Sequence, residues 1–93
     1  MRGGSRRLIK DLGRKVAELR IARGLTQERF AERLGVSLKY VQRIEAGSEN
    51  LTVESLHRLA TKLRVTVIAL FEPPLVREVR RGRPKRASTS RTT

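Results

Sequence analysis

The stretch 26–47, TQERFAERLGVSLKYVQRIEAG, packs two helix-start signals and two helix-stop signals into one short segment. Thr26 is placed to cap a helix over 27–34, because a hydroxyl there accepts from the free amides of the first turn. Gly35 supplies the left-handed residue that ends such a helix. Ser37 caps a second helix over 38–46, and Gly47 closes it. Two helices joined by so short a turn must cross steeply. The expected geometry is a helix-turn-helix, whose second helix fits the major groove of duplex DNA.

The side chains of that second helix sort by face. At about 100° per residue, Val41 and Ile44 share one side. Lys39, Gln42, Arg43 and Ala46 lie opposite, with Leu38 at the margin. The apolar pair can hold the helix to a core, which leaves a polar stripe suited to base edges and phosphates. A solvated amphipathic face would look the same, so the stripe alone does not decide between the two. The paired caps and the charge of the chain favour DNA.

That charge is +13 over 93 residues, enough chain for one small domain with tails. Residues 1–10 contribute +4 with no acid, residues 11–72 have eleven basic and eight acidic side chains (+3), and residues 73–93 have seven basic against Glu78 (+6). A moderately charged unit therefore sits between two basic tails, which suits a polyanionic partner. No apolar run approaches the ~20 residues of a membrane span, and the tails lack apolar anchors. The absence of a hydrophobic signal segment predicts an intracellular protein, and with the polyanionic partner the expected location is cytoplasmic and nucleoid-associated. With no cysteine, no disulfide framework or thiolate metal site is expected, and no cofactor is implied.

The rest of the unit reads as helix. Leu12, Val16, Leu19 and Arg23 repeat helically, predicting a first helix over about 9–23 that Gly24 stops. Asp11 suits its first turn, and Gly13 weakens that end. Leu25 enters the core. Residues 48–51 form a turn, and Thr52 caps a fourth helix that buries Leu56, Leu59, Ala60 and Leu63. A short fifth helix, capped by Thr66, runs to Phe71, and Pro73 and Pro74 end the fold. The expected fold class is all-α: a compact five-helix domain over 8–72, a disordered basic arm over 1–7 and a disordered basic tail over 73–93.

From about Leu12 to Phe71 the chain resembles the phage-repressor-like (XRE-type) helix-turn-helix family. The matching stretches are LRIARGLTQERFAERLGVS, YVQRIEAG and LTVESLHRLATKLRVTVIALF. The resemblance implies a transcriptional regulator that binds specific double-stranded DNA sequences as a homodimer. Within the family the chain looks especially like restriction-modification controllers and antitoxins. By the same resemblance, Gln27 contacts a phosphate and braces the third helix, and Ser37, Leu38, Lys39, Gln42 and Arg43 occupy DNA-facing positions. Lys39 and Arg43 suit guanine or phosphate, and Gln42 suits adenine or phosphate. Leu38 departs from the polar residue often found there; it either meets a thymine methyl or packs. Tyr40 is either a phosphate contact or a partial core residue. Ser48 and Asn50 suit phosphate contacts from the following loop, where Glu49 would repel the backbone. Arg20 and Glu45 match a bridging pair of the family. The fifth helix, with Val67, Leu70 and Phe71, is the expected dimer contributor, unless the core needs these residues. His57 is read as an ordinary surface residue.

The tail segment RRGRPKR over 80–86 resembles an AT-hook. Gly82 would let the backbone reach the floor of a narrow minor groove, with Arg81 and Arg83 pointing along it and Lys85 and Arg86 on phosphates. Arg80 stands where proline often precedes the hook, and a plain basic tail is the alternative. Two other functional classes stay open beside the regulator: an antitoxin with a protein partner of unknown identity, and an architectural protein that binds DNA without sequence preference. An enzyme is not expected, because no Ser/His/Asp cluster, metal-ligand spacing or phosphate loop is present.

Overall fold

The computed structural model describes residues 2–75, with side chains from Ser5 onward. The expectations for the AT-hook-like segment 80–86 lie outside the described residues. Four α-helices run in order, α1 (Arg2–Ala22), α2 (Gln27–Leu34), α3 (Leu38–Ala46) and α4 (Val53–Leu63), followed by a 3-10 turn at Ile68–Phe71. The described residues hold no strand, as the all-α expectation requires.

The helix boundaries follow from side-chain caps. Thr26 Oγ1 accepts from the Arg29 amide, Ser37 Oγ from Tyr40 and Thr52 Oγ1 from Ser55, each at 3.0 Å. Gly35 and Gly47 close α2 and α3 at φ 74° and 78°. Arg64 closes α4 in the same left-handed region, at φ 61°, which glycine would occupy at lower cost. Two expectations need correction. The expected fifth helix is a single 3-10 turn, so the helix count is four. Thr66 does accept from the Ala69 amide at 3.2 Å, but Glu72 is extended and two prolines follow, so the turn cannot propagate. The first helix starts at Arg2 instead of about residue 9, so the backbone of residues 2–7 continues α1 where a disordered arm was expected.

One core joins the elements: Leu12 and Val16 of α1, Phe30, Ala31 and Leu34 of α2, Val41 and Ile44 of α3, Leu56, Leu59, Ala60 and Leu63 of α4, and Leu70 of the 3-10 turn. Leu25 packs against it half-buried, between α1 and α2. Leu70 is fully buried, so it belongs to this core and not to an external contact; Val67 is half-buried, while Ile68 and Phe71 are exposed. Leu70 thus takes the core alternative, and of Val67, Leu70 and Phe71 it is Phe71 that stays exposed.

Two glycines set how closely α1 approaches α3. A Cβ built on Gly13 would lie 2.3 Å from the Ile44 carbonyl oxygen and 2.9 Å from that of Glu45. One built on Gly47 would lie 2.9 Å from Lys10 Cα and Cγ. Gly13, which weakens the helix by propensity, is therefore what lets α3 seat its C-terminal turn against α1.

Arginines tie the periphery to helix ends. Arg23 donates from Nε to the Leu63 carbonyl at 2.9 Å, and Arg58 donates to the Leu34 carbonyl, satisfying acceptors that the last turns of α4 and α2 leave free.

Candidate nucleic-acid interface

The site is built on α3. Val41 and Ile44 are buried, as their shared face demands, and this fixes the rotation of the helix about its axis. Lys39, Gln42, Arg43 and Ala46 are then turned to solvent. Lys39, Gln42, Arg43, Ala46 and Ser48 line one shallow groove, so the structure brings these predicted residues together on a continuous surface. Ser37 is exposed at the N-terminus of α3, with its hydroxyl engaged in the cap. Asn50 is exposed in the loop beyond α3.

Leu38 and Tyr40 are half-buried. Tyr40 packs against the core, in line with the partial-core alternative. Its ring also carries the Arg43 guanidinium, 5.9 Å from the centroid, within reach of a cation–π attraction.

The motif is oriented by a polar knot beneath it. Arg20 of α1 donates from Nε to Glu45 Oε2 at 2.6 Å and from Nη2 to Oε1 at 3.1 Å. Its Nη1 donates to the Leu25 carbonyl at 2.8 Å, in the loop that leads to α2. Gln27 of α2 donates from Nε2 to Glu45 Oε1 at 2.9 Å. One carboxylate on α3 therefore holds α1 and α2, and the same arginine holds the α1–α2 loop. The side chains of the ion pair are only 12% and 7% exposed, too enclosed for an ordinary surface pair. Such a bidentate pair adds direction more surely than net stability. The bracing part of the expectation for Gln27 is thus visible.

Sequence reasoning missed the partner of Arg43. Its Nε donates to Glu49 Oε1 at 2.9 Å. Gly47 permits this: after the left-handed residue, the Ser48 amide donates back to the Arg43 carbonyl at 3.0 Å, which folds the following chain along α3. A spacing of six residues puts the two on different faces of a helix, and the helix ends at Gly47 between them, so helical periodicity could not have paired them.

His57 is exposed on α4. Among the described residues, no three His, Cys, Asp or Glu side chains come together as a metal site would need, and no helix is long and apolar enough to cross a membrane.

Comparison with known proteins points one way. The helix-turn-helix family HTH_3 matches residues 16–70, from the middle of α1 to the 3-10 turn. An uncharacterized HTH-type transcriptional regulator, y4dJ of Sinorhizobium fredii, is 41% identical over 64 residues, which span 69% of this chain and 83% of that one. The restriction-modification controller protein C.AhdI of Aeromonas hydrophila superposes with a TM-score of 0.64 at 35% identity, covering 68% of this chain and 96% of the controller. The clp gene regulator ClgR of Corynebacterium glutamicum gives a TM-score of 0.64 at 27% identity, over 68% of this chain and 67% of that chain.

Proposed function

The chain belongs to the HTH_3 helix-turn-helix family and is a DNA-binding transcriptional regulator, and from that premise we propose how it binds: α3 lies in the major groove of a specific duplex sequence. The observation that carries this reading is the exposed row Lys39, Gln42 and Arg43 on a helix whose opposite face is locked into the core. Lys39 and Arg43 donate to guanine or phosphate, and Gln42 pairs with adenine. Ser37, Ser48, Asn50 and the N-terminus of α2 at Gln27 hold phosphates at the groove walls. Leu38 meets a thymine methyl at the margin of the row.

One such helix reads only a few base pairs, so two protomers bind a two-fold site. The exposed Ile68 and Phe71 of the 3-10 turn form the apolar part of the contact between them. The basic tail adds a second grip. Arg81, Gly82 and Arg83 enter a neighbouring minor groove, with Lys85 and Arg86 on the flanking phosphates. A link of nine residues, the number from Glu72 to Arg80, can reach at most ~30 Å, more than the ~17 Å of half a helical turn.

Selection of binding sites from random duplex DNA, followed by footprinting, tests the proposal. The expected winner contains two inverted half-sites about one helical turn apart. Recovery of no preferred sequence would refute specific readout and leave an architectural role.

A narrower role is favoured by the likeness to C.AhdI, which runs over nearly all of that controller: control of a restriction-modification gene pair. Occupancy of the promoter of such a pair in cells is the outcome that supports it, and occupancy only at unrelated promoters excludes it.

A further inference from the structure

We infer that Glu49 sets the base discrimination of α3 by holding Arg43 through one edge of its guanidinium. The inference rests on the reading of α3 given above. Arginine presents five N–H donors in a rigid planar fork, and a bidentate contact to guanine O6 and N7 needs two of them on one edge. Among the described residues the Arg43 head donates only from Nε, to Glu49. Its outer edge, formed by the two Nη groups, is left for a base. The Tyr40 ring lies against the same group at 5.9 Å. A carboxylate at the inner edge and a ring against the head restrict the guanidinium to few orientations.

Glu49 is the fixed member of the pair. Its side chain is 25% exposed against 49% for Arg43, and the backbone that carries it is pinned to α3 through Ser48. An ion pair as exposed as this one adds little to stability. Its consequence is selective. A free arginine at this point would neutralise any phosphate it could reach, on any sequence. With Glu49 beside it, Arg43 has its charge compensated and its direction set. The loop carboxylate that looks repulsive toward DNA thereby weakens indiscriminate binding and leaves the guanine-reading edge in place. Glu49 is a positioning residue that acts through Arg43.

The test compares wild type, Glu49→Gln, Arg43→Ala and the double variant on two probes, the selected operator and a random duplex of equal length, across a salt series. Glu49→Gln is expected to tighten binding to random duplex and to steepen its log–log salt slope by about 0.9, the signature of one more neutralised phosphate. The ratio of operator to random affinity should fall at least about fivefold, the low end of one lost bidentate contact. In the Arg43→Ala background, the same substitution should change neither the slope nor the ratio. An unchanged ratio in Glu49→Gln, or the same steepening with Arg43 absent, would overturn the inference and make Glu49 a plain background charge. If Arg43→Ala itself keeps full operator preference, the reading of α3 fails and this inference with it. If Arg43→Ala loses preference while Glu49→Gln keeps it, this inference alone fails.

Discussion

Gly13 and Ile44 meet backbone to backbone. A single methyl on Gly13 would stand 2.3 Å from the Ile44 carbonyl oxygen, inside any real carbon–oxygen contact. Two effects compete at this position. Alanine in place of glycine favours a helix by about 1 kcal/mol. The clash is with backbone at the end of α3, which no rotamer change can relieve, and overpacking of this kind costs about 1–3 kcal/mol. Gly13→Ala should therefore lower stability despite its better helix propensity. Thermal melting followed by circular dichroism checks the sign; a raised midpoint would show that α1 does not seat on α3 as described.

The knot at Glu45 gives a second expectation. Removing one partner of an enclosed ion pair strands the other, at about 3–5 kcal/mol when burial is complete. With side chains 12% and 7% exposed, Arg20→Ala and Glu45→Ala should each fall near the lower end of that range. Arg20→Met combined with Glu45→Leu should cost less than the two alanine variants added together, because no charge is stranded. Denaturant titration of the four proteins decides it. Additive losses would mean that the two side chains act independently.

Arg64 offers a stabilising change. It holds φ 61° at the end of α4, a region that costs an L-residue about 1–2 kcal/mol. Glycine removes that cost but adds back about 0.4–1 kcal/mol through the freer unfolded chain. The net expectation for Arg64→Gly is a gain of about 0–1.6 kcal/mol, by difference of those two ranges. The carbonyl of residue 64, which accepts from Arg23 Nη2 at 3.4 Å, is retained in the variant. A lower urea midpoint for Arg64→Gly would contradict the assignment.

The tail is testable through its charge and its one glycine. Deleting residues 76–93 removes seven basic residues and one acidic residue, a net +6, and leaves in place every core residue found among the described residues. The shortened protein should fold, bind operator more weakly and show a shallower salt dependence. Gly82→Ala separates a minor-groove hook from a basic tether, since it changes no charge. A hook predicts that the variant loses more affinity when A·T-rich DNA flanks the operator than when G·C-rich DNA does. Equal affinities of wild type and variant on both flanks would reject the hook.

The motif was legible in the sequence because its signals are local. A hydroxyl before a helix and a glycine after it act within one turn, so Thr26, Gly35, Ser37, Gly47 and Thr52 could each be assigned without knowing the fold. The face of α3 was equally readable, since Val41 and Ile44 must turn inward together. Tertiary structure decided what depends on contacts between distant segments. Gly13 has poor helix propensity, and only the approach of α3 shows why glycine stands there. Residues 2–7, basic and without apolar side chains, carry no hydrophobic repeat to announce a helix, yet α1 extends through them to Arg2. The expected fifth helix shrank to one turn, since Leu70 needs only that turn to reach the core before the prolines intervene. The Arg43–Glu49 pair follows no helical repeat, and only the turn after Gly47 brings the carboxylate beside Arg43.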